Sequence, residues 1–213
     1  MRFADRTEAG QQLAEALTGL DCAAPVVLAL PRGGVPVALE VARALDAPLD
    51  LVMVRKIGLP GEPEVALAAV VDGARPDLEV NEDIARHAGL DRLDIVKLAE
   101  PELVEITRRR ALYLEGRKAV PLAGRCAIIV DDGIATGATV RAALRAVRRQ
   151  KPARLVLAVP VAAPQTLAAL RHLADEVICL SAPDTFMSVG AHYADFVQVS
   201  DAEVIAMLAQ VKA

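Results

Sequence analysis

A doubly wound α/β fold built on a mainly parallel sheet is what this sequence predicts, and three observations carry the prediction. Short apolar runs recur along the chain, at Val26 to Leu30, Leu49 to Val54, Val65 to Val71, Ala127 to Val130, Arg154 to Val161 and Glu176 to Leu180. Such runs suit strands covered on both faces. Several are followed by a segment of helical period, and β–α alternation favours parallel strands joined by right-handed crossovers. The chain has 213 residues, 54% of them apolar, which suits one domain over residues 1–213 with a sizeable core.

Taken in order, residues 5–18 read as an amphipathic helix capped by Asp5, with Ala9, Leu13, Ala16 and Leu17 on one face and Gly19 at its end. The first strand runs into Pro31-Arg32-Gly33-Gly34, and a helix follows on Ala38, Val41, Ala42 and Leu45. Paired glycines let a ligand approach the main chain, and an Arg beside them can fork onto an anion. The same pattern also suits a tight strand–helix turn with a solvated Arg. The second strand ends in Arg55-Lys56. Gly58, Pro60, Gly61 and Pro63 then predict a mobile loop, with Glu62 and Glu64 as solvated charges.

After the third strand, residues 75–122 predict a mainly helical insertion, with helices over 91–98 and 101–115 and Pro101 at a helix start. Glu100, Glu102 and Glu105 precede Arg108, Arg109 and Arg110, an order that complements the helix dipole and favours a solvated helix. The fourth strand leads to a helix with Val140, Ala143, Leu144 and Val147 inward and Arg141, Arg145, Arg148 and Arg149 outward. A fifth strand, a helix over 164–172 and a sixth strand follow. The tail, 181–200, holds three of the five aromatics, Phe186, Tyr193 and Phe196, and offers a planar ligand a stacking surface. His192 has no metal-spaced partner. Asp201 is placed to cap a last helix on Val204, Ile205 and Leu208.

Composition excludes several classes. A net charge of −4 and 2% aromatics argue against a nucleic-acid groove. Cys22, Cys126 and Cys179 lack any C-x-x-C spacing, so neither a zinc site nor a disulfide framework is expected; Cys126 and Cys179 read as inert core thiols. The N-terminus lacks the apolar centre of a signal peptide, and the longest uncharged apolar stretch, 155–164, is too short for a bilayer. A soluble protein of the reducing cytoplasm is expected, with no membrane partner.

The stretch from Cys126 to Thr139, CAIIVDDGIATGAT, carries the chemistry. A buried strand delivers Asp131 and Asp132 to its carboxyl end, where ligand crevices form in parallel sheets. Gly133, Ile134, Ala135, Thr136, Gly137, Ala138 and Thr139 then combine backbone N–H groups, two hydroxyls and a helix N-terminus into a phosphate cradle. The carboxylates suit sugar hydroxyls or Mg²⁺. No Gly-Lys-Ser/Thr and no G-x-G-x-x-G competes with this assignment.

Apolar residues, an acidic pair and T-G-x-T resemble the phosphoribosyl-diphosphate (PRPP) signature of the type I phosphoribosyltransferases, and VDDGIATGAT matches it without gaps. The resemblance implies that the acid pair contacts the ribose 2′- and 3′-hydroxyls and holds Mg²⁺, directly or through water. It implies that the following loop wraps the 5′-phosphate. Arg32, Gly33 and Gly34 match the pyrophosphate loop, often built with a strained or cis peptide, and Arg55 and Lys56 lie on a closing loop. Asp131, Asp132, Arg32 and Lys56 are the catalytic candidates. Residues 183–190 resemble the base-binding hood of 6-oxopurine enzymes with one residue extra, which would stack Phe186 on the base; packing of Phe186 onto the core is the other use of that ring. Ala135 departs from those enzymes, which carry an Asp there, and agrees with adenine transferases, so the acceptor base stays open. The RGG loop, the RKIG loop and the VG-x-x-Y-x-x-F tail look most like a bacterial subgroup of uncharacterised phosphoribosyltransferases. The resemblance implies a homodimer and Mg-dependent phosphoribosyl transfer from PRPP to a purine or related base. The alternative is a PRPP- or nucleotide-binding regulator on the same fold.

Overall fold

The computed structural model describes residues 2–72 and 77–211, apart from the side chain of Glu64. The first two residues of the predicted insertion, 75–76, therefore lie outside the described residues. Five strands form a parallel sheet: β1 (Pro25–Ala29), β2 (Leu49–Leu51), β6 (Cys126–Val130), β7 (Arg154–Val161) and β8 (Glu176–Ser181), in the order β2-β1-β6-β7-β8. Alternate residues point to opposite faces. Val27, Ala29, Ile128 and Val130 face one core with α1 (Arg6–Leu17), α2 (Gly34–Ala44) and α7 (Asp201–Leu208). Val26, Leu28, Ala127 and Ile129 face the other, with α5 (Ala138–Arg149) and α6 (Pro164–Leu170). Every one of these strand residues is buried, which is why the runs read as uninterrupted apolar stretches. The helices change face between β1 and β6. That makes this junction the switch point of the sheet, where a crevice opens beyond the strand ends.

The predicted second strand divides. Leu49–Leu51 stays in the parallel sheet. The chain then enters a separate antiparallel sheet of β3 (Val54–Leu59), β4 (Glu62–Val71) and β5 (Asp77–Val80). The expected mobile loop is the turn of the β3–β4 hairpin. Gly61 takes φ +87°, and Gly58 sits at a register irregularity, where a β-carbon would lie 2.5 Å from the Pro63 carbonyl oxygen. The breakers mark a turn and a bulge inside a paired ribbon. This small sheet packs between α5 and α4 (Arg92–Leu114).

The insertion is helical as expected, with α3 (Glu82–His87) preceding α4, but α4 is one helix and not two. Pro101 lies inside it, exposed. Ile95, Ala99, Ile106 and Tyr113 continue one buried face past the proline, and that packing outweighs the backbone bond the proline removes. Asp5 caps α1 as expected, by accepting from the Glu8 N–H. Asp201 does not cap α7: Ser200 does, in a capping box with Glu203, and Asp201 begins the helix.

The expectation of unpaired thiols fails. Cys22, in the segment before β1, forms a disulfide with Cys126 at the start of β6, with Cα atoms 5.4 Å apart. Parallel pairing of Pro25 with Cys126 brings the two together across 104 residues of sequence. Cys179 is a free thiol. Among the described residues, no helix is long and apolar enough to cross a membrane.

Candidate functional site

The crevice at the switch point is built from backbone register. Ala29 pairs with Val130, so the segments that follow each strand run side by side. Leu30 N–H donates to Val130 O at 3.0 Å, and the Pro31–Arg32 peptide after it is cis. Gly34 lies against the β6 backbone: a β-carbon there would be 2.8 Å from Val130 O and 3.0 Å from the Asp131 α-carbon. Gly33 lies against the Asp132 carboxylate, where a β-carbon would meet Oδ2 at 2.1 Å. The two glycines therefore allow the Arg32 loop and the acid pair to share one crevice.

Asp131 Oδ1 accepts from the Asp132 N–H at 2.9 Å, and Asp132 Oδ2 accepts from Arg6 Nε at 2.8 Å. Asp131 Oδ2 and Asp132 Oδ1 make no hydrogen bond to a described residue. Burial, reinforced by the neighbouring Asp132 charge, pushes the Asp131 carboxyl well above its usual range. Burial also raises Asp132, and the Arg6 guanidinium opposes the rise.

The loop after the acids is anchored at one residue and open at the others. Ile134 is buried, its N–H donates to Val161 O at 2.9 Å, and its carbonyl accepts from Ala163 N–H at 2.9 Å. Gly133 fits under Val189 and Val161, where a β-carbon would be 2.5 Å and 2.9 Å from their methyls. Ala135 O accepts from Thr166 Oγ1 at 2.7 Å. Gly137 takes φ +74° before α5 begins. The N–H groups of Thr136, Gly137, Ala138 and Thr139 make no hydrogen bond to a described residue. Open amides at a helix start suit an anion; Ile134 holds the loop to β7 instead.

The remaining candidates are placed unequally. Arg55 and Lys56 are neighbours on β3 and point to opposite faces. Arg55 Nε pairs with Glu102 of α4 at 2.6 Å. Lys56 lines a cavity of about 340 Å³ shared with Ala138 and Arg141 of α5. Lys56 thus faces a space that borders the start of α5, whereas Arg55 turns to α4. Arg32 Nη1 lies 3.3 Å from Asp201 Oδ1, which also accepts from the Tyr113 hydroxyl at 2.6 Å. Phe186 stacks on His192, with ring centroids 5.5 Å apart, and borders a cavity of about 380 Å³ with Ala163, Thr166 and Asp184. Thr166 joins that cavity to the Ala135 carbonyl. The arginines late in α4 are occupied: Arg108 and Arg109 pair with Glu105, and Arg110 pairs with the buried Asp72.

Arg6 and Tyr193 are the site residues that local pattern does not reveal. Arg6 looks like any polar residue in a first helical turn. Tyr193 is one aromatic among three in the tail. Its hydroxyl donates to the Asp132 carbonyl at 2.6 Å. Only the tertiary fold brings either to β6.

Two carboxylates with an open oxygen each fit Mg²⁺, which takes one or two carboxylates together with substrate phosphates and water. Among the described residues no group of three or more His, Cys, Asp or Glu could hold a metal, so the two carboxylates would supply only part of the coordination.

An acid pair and an open helix-capping loop thus meet at the switch point of a parallel sheet in an α/β protein. The chain belongs to the phosphoribosyl transferase domain family, which it matches over residues 8–195. It is 47% identical over 207 residues to "Putative phosphoribosyl transferase Rv0571c" of Mycobacterium tuberculosis strain H37Rv, and equally to its counterpart in strain CDC 1551. Those alignments cover 97% of this chain and 46% of the relatives, so the chain spans about half their length. The crystal structure of TT1426 from Thermus thermophilus is similar over 100% of both chains, with 45% identity and a TM-score of 0.88.

Proposed function

We propose that this chain transfers the 5-phosphoribosyl group of PRPP to a nitrogenous base, a purine or related nucleobase, and releases pyrophosphate in an Mg²⁺-dependent reaction. The observation that carries the proposal is the shared crevice: Asp132 rests against Gly33 on one side, and four open amides, Thr136 to Thr139, follow on the other. Family membership supports phosphoribosyl chemistry in general.

In this reaction the bond from ribose C1′ to the diphosphate oxygen breaks, its electron pair leaving with pyrophosphate; a bond from C1′ to a base nitrogen forms, and the proton of that nitrogen passes to solvent water. The protein's share is positioning and charge. Asp131 Oδ2 and Asp132 Oδ1 take the ribose hydroxyls, and the Asp132 carboxylate lies near the positive charge that grows on the ribose. The Thr136 to Thr139 amides and hydroxyls hold the 5′-phosphate. Arg32 serves the diphosphate by leaving Asp201, a 3.3 Å pair with side chains 27% and 40% exposed; such a pair stabilises by only about 0–1 kcal/mol. Lys56 reaches the same ligand from the hairpin. Arg55 would first have to leave Glu102. Asp131 and Asp132 would hold Mg²⁺, which would supply charge neutralisation for the phosphates. Phe186 offers its face to the base, and Ala135 places no acid beside it.

A panel of nucleobases incubated with Mg-PRPP, read by pyrophosphate release, tests the proposal. Release with at least one base is expected. Silence with every base, with PRPP still bound, would point to a PRPP-binding regulator.

A further inference from the structure

We propose that Arg6 is a positioning residue of the PRPP site, one that holds the Asp132 carboxylate ready for the ribose hydroxyls; this rests on the transfer function proposed above. Arg6 opens α1, 126 residues before Asp132 in sequence, yet its Nε reaches Asp132 Oδ2 at 2.8 Å. Both side chains are largely buried, at 11% and 14% exposure. The guanidinium is fixed from two further directions. Nη1 donates to Val197 O at 2.8 Å, and Cζ lies 3.9 Å from the Phe196 ring centroid. Tyr193 fixes the backbone of the same aspartate through its hydroxyl bond to the Asp132 carbonyl.

The N-terminal segment and the tail are stitched together around this point. Phe3 N–H donates to His192 O, Ala194 N–H to Phe3 O and Asp195 N–H to Ala4 O, each at 2.8 Å. A planar guanidinium can donate in its plane to a carboxylate and a carbonyl while its face lies on an aromatic ring, with its donors fixed in one fork. Oδ2 is held between Arg6 and the Gly33 backbone, so the carboxylate cannot turn and Oδ1 is left to accept a sugar hydroxyl. Fixing an acceptor before the ligand arrives reduces the ordering cost of binding.

Calorimetric titration separates this role from a structural one. Mg-PRPP, ribose 5-phosphate and metal-free pyrophosphate are titrated into the wild type, Arg6→Gln and Arg6→Lys. Arg6→Gln is expected to weaken both ribose-bearing ligands about tenfold, the scale of a lost hydrogen bond to a charged group, while pyrophosphate affinity stays unchanged. Arg6→Lys is expected to lie between. Equal weakening of all three ligands, or unchanged ribose 5-phosphate affinity, overturns the proposal. If Arg6→Gln does not fold, Arg6→Lys decides alone, and wild-type affinity for ribose 5-phosphate overturns it. A wild type that binds no PRPP overturns the transfer function and this role with it; a wild type that binds PRPP beside an unaffected Arg6→Gln overturns the Arg6 role only.

Discussion

Gly33 lies so close to Asp132 that a β-carbon on the glycine would sit 2.1 Å from the carboxylate Oδ2. The obstacle is a side chain, but one tied to Arg6 and so unable to swing clear. Gly33→Ala is therefore expected to displace Asp132 and to destabilise the fold by about 1–3 kcal/mol through overpacking. PRPP affinity should fall with it. Denaturant unfolding and calorimetry on the same variant check both parts, and a variant with wild-type affinity would show that Asp132 is not held where binding needs it.

The Cys22–Cys126 disulfide closes a loop spanning 104 residues and ties the segment before β1 to the central strand. Reduction, or Cys22→Ser, is expected to lower stability by about 2–5 kcal/mol. Alkylation without reductant should modify Cys179 and leave the other two. Equal unfolding midpoints with and without reductant would count against a structural bond. The disulfide lies at the amino-terminal edge of the sheet, away from Asp131, so PRPP affinity at low temperature should survive reduction.

Glu79 joins β5 to α5 by bonds from Arg145 at 2.9 Å and Arg149 at 2.5 Å. Burial opposes its ionisation, but the two arginines prevail and lower its pKa below the ordinary 4.5. A lowered folded pKa means that the contribution is complete above the unfolded value and fades as pH falls through the folded one. Glu79→Gln is expected to cost about 1 kcal/mol or less at pH 7, because solvent screens the pair. The gap to the wild type should close as pH drops below 4.5. Urea midpoints measured at pH 7 and across the acid range check the sign; a gap that widened on acidification would contradict it.

What is legible in the sequence is local. Cys126 to Thr139 can be read as strand, acids, loop and helix because each part signals within a few residues and both sheet faces are covered. The β3–β4 hairpin reads as a loop because Gly58, Pro60 and Gly61 signal a break whether or not the flanks pair. Pro101 reads as a helix start because the face that carries α4 through it, Ile95 to Tyr113, packs on distant residues. The Cys22–Cys126 bond and the Arg6–Asp132 pair depend on parallel register and on the meeting of the two chain ends, and neither leaves a local pattern. Arg55 and Lys56 read together as diphosphate ligands, although strand alternation alone separates them.

The proposed transfer reaction requires the acid pair for PRPP binding above all other residues. Isothermal titration of Mg-PRPP into the wild type and into Asp131→Asn with Asp132→Asn tests it most directly, with thermal unfolding as the control for folding. Binding is expected to the wild type, and none to a variant that still unfolds cooperatively. Unchanged PRPP affinity in the folded double variant would contradict the assignment.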